Sequence, residues 1–251
     1  RFSRTARAFA PGEDVIWPAR GGGRPPVSAF WSSPRLFQVA NAAFSVSRTF
    51  TPVTFRDDGA APRPEVMHWT TVMPLRARGA ANIYTIHDLI PLRLPHTTLD
   101  NKRRFLAQCR EIARRADHIA VVSEATRRDV TRILGVADDR ITVTGQSIRL
   151  PAALTARPDD DIAREVEGVF RLPWQGYFLF FGAVEPKKNL ARVVEAHLAS
   201  GVSQPLVVVG GNGWLEEDET ALMRQARKFK AGRRRVIRWR YLPFSQLVSL
   251  I

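Results

Sequence analysis

Residues 116–145, ADHIAVVSEATRRDVTRILGVADDRITVTG, decide the fold class. The run HIAVVS (118–123) is apolar and partly β-branched and stops at a polar cluster, as a buried parallel strand does. Ser123 is placed to cap a helix running to Leu134, and Gly135 supplies its C-terminal stop. ITVTG (141–145) then reads as a second strand. A strand, a helix and a strand in about thirty residues form a parallel crossover unit, and such crossovers are right-handed.

The same grammar extends outward in both directions. Upstream, EVMHW and ANIYTIHD give two more short buried strands. Between them and the crossover unit, Phe105, Leu106, Cys109, Ile112, Ala113 and Ala116 recur at steps of three and four, predicting an amphipathic helix over 99–116 with an arginine-rich outer face. The first 63 residues, with GGGRPP at 21–26 and RDDGAAPRP at 56–64, show little periodicity and are expected to hold loops and a few short elements. Downstream, Pro151, Pro158, Asp159 to Asp161 and Pro173 suggest a linker over 151–173. A second unit follows: strand YFLFFG (177–182), a helix with core stripe Leu190, Val193, Val194 and Leu198 ending at Gly201, and strand PLVVVG (205–210). After the turn GNGW come a helix over roughly 216–230, the strand RVIRW and a further helix in YLPFSQLVSLI. The expected organisation is therefore α/β, with a domain over 1–150, a linker over 151–173 and a second domain over 174–251.

Composition narrows the chemistry. In 251 residues, 38 Lys and Arg stand against 24 Asp and Glu, a formal charge of +14, which favours anionic partners such as nucleotide phosphates, anionic lipid or nucleic acid. Only five of those bases are lysine, and the arginines are scattered rather than blocked. No aromatic residues interleave with a basic run as in an RNA-binding sheet, so nucleic acid is not the expected partner. One cysteine, Cys109, allows no intrachain disulfide or CxxC knuckle and fits a reducing, cytoplasmic setting. No stretch has the length of a membrane-spanning helix. Dinucleotide, P-loop, nucleophile-elbow and HExxH signatures are all missing from the sequence.

Four segments stand where open α/β sheets collect ligands, just past strand ends. His87 and Asp88 follow the strand ANIYTI; locally they read equally as a satisfied histidine and a turn cap. Ser123 and Glu124 open a helix after the next strand. Gly182 leads into Ala183-Val184-Glu185-Pro186-Lys187-Lys188-Asn189-Leu190, where two lysines precede a helix N-terminus, a combination suited to phosphate. Gly211 and Asn212 close the following strand in a turn that could pass near a nucleotide.

Taken together, EVMHWTTVMPLR, IYTIHDLIPLRLP, ADHIAVVSEATRRDV, FLFFGAVEPKKNLARVVEAH, PLVVVGGNGW and RVIRWRYLPFSQLVSLI resemble, in order and approximate spacing, the retaining glycosyltransferases called group 1 or family 4, in their bacterial mannosyltransferase-like branch. The resemblance covers residues 64–251. It implies a GT-B architecture of two Rossmann-like domains, with the acceptor on the first and the sugar nucleotide on the second. It places His87, with Asp88, at the reaction centre and Lys187 and Lys188 on the donor diphosphate. Gly182, Gly211 and Asn212 fall beside the donor, with Ser123 and Glu124 as further cleft residues. It implies a nucleotide-sugar donor, GDP-mannose first, a glycan or lipid-linked acceptor, no prosthetic group and no metal; the basic helix over 102–115 would suit contact with an anionic membrane from the cytoplasmic side. Three departures go with it: Ala183 stands where many members carry Arg, the E-x7-E donor segment would lie past Ile251, and the N-terminal strand and Gly-rich loop that open the first domain are not recognisable, as expected of a fragment or a shortened protein. The sequence alone leaves open a non-catalytic glycan- or partner-binding remnant of the same fold and, on charge, a nucleic-acid binder.

Overall fold

The computed structural model describes residues 35–55, 63–214, 216–228 and 236–251. GGGRPP and the interior of RDDGAAPRP lie outside the described residues. The chain divides into two compact units, residues 1–93 with 100–146, and residues 94–99 with 147–251.

The first unit opens with helix α1 (Leu36–Ser47) and strand β1 (Thr51–Val53). A twelve-residue helix is longer than the short elements expected here; Ala40 and Phe44, four apart and fully buried, give it an inward stripe. The unit continues through β2 (Val66–Trp69), β3 (Leu75–Ala77), β4 (Ala81–Ile86), the one-turn α2 (Ile90–Arg93), α3 (Lys102–Arg115), β5 (His118–Val121), α4 (Glu124–Leu134) and β6 (Ile141–Val143). The four strands read from sequence form one parallel sheet in the order β2-β4-β5-β6. β1 and β3 make a separate parallel pair that the sequence did not announce.

Helix α3 begins at Lys102 rather than 99, because the Asn101 Oδ1 accepts the Arg104 N–H at 3.0 Å and sets the first turn. α4 matches its reading, with Ser123 capping the Thr126 N–H and Gly135 in the left-handed region (φ 69°) at its end. On the inner side of α3, Gln108 donates to the Asn41 Oδ1 of α1 at 3.0 Å. Beside it Cys109 is buried, and burial pushes its thiol pKa up to about 12.

One buried amide ties the start of β4 to its surroundings. The Asn82 Oδ1 accepts the Trp69 indole N–H at 3.0 Å and the Ala77 N–H at 2.8 Å, while its Nδ2 donates to the Ala77 and Ala80 carbonyls at 3.0 and 2.8 Å. Both donors and both acceptor sites are thus used. The Asn82 backbone N–H donates to the Asp117 carboxylate at 2.7 Å, and its carbonyl accepts the Asp117 N–H at 2.9 Å.

The second unit holds the short α5 (Ala152–Thr155), α6 (Asp159–Val169), β7 (Phe178–Phe181), α7 (Leu190–Ala199), β8 (Leu206–Val209), α8 (Glu216–Lys228), β9 (Val236–Trp239) and α9 (Phe244–Leu250), with a parallel sheet in the order β7-β8-β9. The stretch 151–173, read as a linker, instead contains α5 and α6. Pro151 and Pro158 fall at N-cap positions, where a missing N–H costs nothing, and Asp159 to Asp161 lie in a first turn, where carboxylates favour the helix. Val166 and Leu172 pack in the same cluster as Val207, Val209 and Leu250. Arg157 ties the ends of this unit together, bonding Glu165 at 2.6 Å and the Ser249 Oγ at 2.8 Å. In α7 the buried stripe is Leu190, Val194 and His197; Val193, expected inside, is exposed. Each unit thus has its own parallel sheet and helices, the Rossmann-like α/β organisation expected of both domains.

Replacing Asn82 by Ala strands the Trp69 N–H and the Ala77 N–H and C=O away from water, so unfolding by urea should show a loss of about 3–5 kcal/mol. Asn82→Asp should destabilise as well, since a carboxylate cannot donate to the Ala77 and Ala80 carbonyls.

Candidate active site

His87 follows the last residue of β4, at the C-terminal edge of the first unit's sheet, and its side chain is exposed. Its Nε2 lies 2.8 Å from the Thr70 carbonyl, which can only accept, so Nε2 carries the proton. Its Nδ1 faces the Gln146 amide Nε2 at 3.4 Å, the acceptor role left to that nitrogen. The ring is thus steadied by the segments that follow β2 and β6. The backbone is held too: the Thr126 Oγ1 donates to the His87 carbonyl at 2.9 Å. Ser123, 3.1 Å from that hydroxyl and accepting the Thr126 N–H, completes a short relay from α4 to His87. Ser123 therefore supports His87 through Thr126.

Asp88 and Glu124 are engaged locally. The Asp88 Oδ1 accepts the Ile90 N–H at 3.0 Å and caps α2. Glu124 is exposed and lies 3.5 Å from Arg127, whose stronger partner is Asp138. Asp138 is held below the usual carboxylate range by the Arg127 hydrogen bonds.

In the second unit, the turns after β7 and β8 are zipped to each other. The Val184 N–H donates to the Gly211 carbonyl and the Gly213 N–H to the Val184 carbonyl, at 3.0 and 3.1 Å. A Cβ on Gly210 would stand 1.9 Å from the Gly182 carbonyl oxygen, and one on Gly213 2.4 Å from that of Val184. Gly210 and Gly213 are therefore the glycines this contact requires, whereas Gly211, singled out from sequence, has only ordinary contact around its missing side chain. The Asn212 Oδ1 accepts from Arg238 at 2.9 Å, which leaves Nδ2 as what its side chain can offer a ligand.

The two lysines differ. The Lys187 ammonium is 3.2 Å from the buried Glu185 carboxylate and 5.1 Å from the centre of the Trp214 ring. Trp214 in turn donates its indole N–H to the Thr97 carbonyl at 2.9 Å. The Lys188 ammonium instead lies over the Gly182 backbone, which adopts φ 127°: a Cβ there would come within 2.6 Å of it. Side-chain freedom at Gly182 thus serves Lys188 directly. The N-terminus of α7 is already partly compensated, because the buried Glu219 carboxylate accepts the Ala191 N–H at 2.9 Å. Of the charges expected at this loop, Lys188 is the one not offset by an ion pair among the described residues.

Thr70, Thr126, Gln146, Glu185, Trp214 and Glu219 escaped the sequence reading. Thr126, three residues after a capping serine, carried a local signal. Thr70, Gln146 and Glu219 reach the site from loops or helices distant in sequence, and nothing in local spacing marks them.

Residues 6–148 match the profile of Glycosyltransferase Family 4. The chain belongs to that family. It is 26% identical over 141 residues to the O-antigen chain mannosyltransferase B of Escherichia coli, covering 54% of this chain and 36% of that protein. It is 26% identical over 161 residues to the serotype-specific mannosyltransferase WbdA of Escherichia coli, covering 60% of this chain and 20% of that one. The chain thus spans about a third and a fifth of the length of these two relatives. Among solved structures, Anabaena Alr3699/HepE in complex with UDP aligns with a TM-score of 0.48 and 17% identity, over 67% of this chain and 44% of that one.

Gly210→Ala should force the turns after β7 and β8 apart and lower stability by about 2–4 kcal/mol, whereas Gly211→Ala should stay within about 0.5 kcal/mol of the parent. Parallel urea titrations of the two variants check this pair of outcomes.

Proposed function

We propose that this glycosyltransferase moves a hexose, mannose first, from a nucleotide sugar to a glycan or lipid-linked acceptor in cell-surface polysaccharide synthesis, with retention at the anomeric carbon. GDP-mannose is the donor of choice. Family membership and the mannosyltransferase relatives support the reaction class and the sugar. The observation that carries the site assignment is the unequal pair at the β7 turn: Lys187 is neutralised by Glu185, while Lys188 stands over Gly182 with its charge available.

In the proposed step the acceptor hydroxyl oxygen bonds to the anomeric carbon as the bond from that carbon to the diphosphate oxygen breaks. The acceptor proton passes to the departing phosphate on the same face. Negative charge grows on the diphosphate, and a fixed ammonium beside it stabilises the transition state more than the ground state. Lys188 fills that role, and the step draws on this cation rather than on a metal. His87, steadied by Thr70, Gln146 and Thr126, positions the sugar at the reaction centre. Arg103, Arg110 and Arg114, seven and four residues apart on the exposed side of α3, would suit an enzyme working from the cytoplasm against an anionic membrane.

Calorimetric titration of the purified protein with GDP-mannose, with UDP-glucose as comparator, tests this reading. Lys188→Met should weaken donor binding by at least about tenfold. Lys187→Met should leave binding within about threefold but lower stability by about 1–3 kcal/mol, because it strands the Glu185 carboxylate. His87→Ala should lower kcat by about 10²-fold with donor affinity little changed. Absence of heat with either donor, or equal binding by parent and Lys188→Met, would sink the assignment in favour of a non-catalytic remnant.

A further inference from the structure

A second polar cleft lies in the first unit, at the opposite end of the sheet from His87. It has a volume of ≈ 750 Å³ and is lined by Arg76, Arg78, Arg115, Asp117, Gly79 and Phe50 among others. Its floor is the N-terminal edge of the strands: Ala81, which begins β4, also lines it, and Asp117 immediately precedes β5. The six residues of β4 therefore separate it from His87, a span of about 20 Å.

Arg76 and Arg78 alternate with buried Leu75 and Ala77, and the Arg78 N–H continues the β1–β3 pairing by donating to the Val53 carbonyl at 2.9 Å. Residues two apart on an extended chain point to the same side, with Cα atoms about 7 Å apart. Both arginines thus rise from one edge of one cleft. Neither makes an ion pair or a side-chain hydrogen bond among the described residues. The third, Arg115, is held by Glu111 at 2.5 Å. Burial alone would raise the Glu111 pKa, but hydrogen bonds from Arg114 and Arg115 outweigh it and hold the carboxyl below its usual range. Asp117 is the cleft's own carboxylate, and it is engaged by the Asn82 N–H. The cleft therefore keeps two uncompensated guanidinium forks beside one occupied acid.

The geometry points to a binding site for a phosphate-bearing ligand in this cleft, separate from the donor loop. A carboxylate has two oxygens and can satisfy one fork. A terminal phosphate or a diphosphate offers three or more and can be shared by two. The volume lies within the range of small-molecule sites and accommodates a phosphorylated sugar or a lipid phosphate headgroup.

The test uses inorganic pyrophosphate, titrated calorimetrically into the protein carrying Lys188→Met so that the donor loop does not contribute. A second arm uses sedimentation with phosphatidylcholine vesicles containing a minor fraction of phosphatidic acid. The expected result is saturable binding in at least one arm, weakened at least about tenfold by Arg76→Gln/Arg78→Gln and little affected by Arg128→Gln/Arg132→Gln, which removes equal charge from the exposed side of α4. Pyrophosphate binding identifies a soluble phosphate as the ligand; vesicle binding alone, with the same arginine dependence, identifies a lipid headgroup. If the glutamine pair disturbs folding, Arg76→Lys/Arg78→Lys keeps the charge but loses the forks and should still weaken binding severalfold. Binding in neither arm, or equal weakening by the two glutamine pairs, would overturn the proposal.

Discussion

The Asn82 carboxamide is the constraint on which the first unit is built. It is fully buried, and an amide in that position is tolerable only when its donors and acceptors are all met. Meeting them brings Trp69 of β2, Ala77 of β3 and Ala80 of the intervening turn to one point, while the Asn82 backbone joins the entry to β5. The start of β4 is thereby fixed in three directions. Because β4 is a short strand paired on both sides, fixing its start also fixes where His87 emerges at its end. The basic cleft at one edge and the histidine at the other share this single anchor.

The second unit solves a different problem. Its two strand-end turns pack backbone against backbone, which requires glycine wherever a Cβ would meet a carbonyl. This close packing presents the loop before α7 as a firm rim, and the rim sorts its charges: one lysine is drawn down to Glu185 and Trp214, the other is left over the backbone of Gly182. Two adjacent residues of the same type acquire different chemistry from a carboxylate two positions upstream and a tryptophan on the neighbouring turn.

Much of this was legible from local pattern. Strand cores such as HIAVV and LVVV declared themselves because a strand buried on both faces is apolar throughout, and α4 declared both its ends through Ser123 and Gly135. Helix α6 was hidden because prolines and an acidic triplet read as a break, although at the first turn of a helix they are compatible with it. The separate β1–β3 pair was hidden because three-residue strands leave no period to detect. In the candidate site, His87 and the lysine pair were visible as residue types past strand ends. Their partners were not, since Thr70 and Gln146 reach His87, and Trp214 reaches Lys187, across long sequence separations. Gly211 was chosen over Gly210 and Gly213 because sequence shows that a turn is glycine-rich but not which α-carbon faces a carbonyl.

Cys109 is the only thiol in the chain, and it is sealed beneath α3 with its proton firmly held. Burial and the raised pKa therefore shield Cys109 from thiol reagents at neutral pH while the first unit stays folded. A cysteine introduced on the surface could be labelled alone without first removing the natural one. Conversely, any labelling of Cys109 would report that α3 has lifted from the first unit's core, giving that unit its own clock for opening.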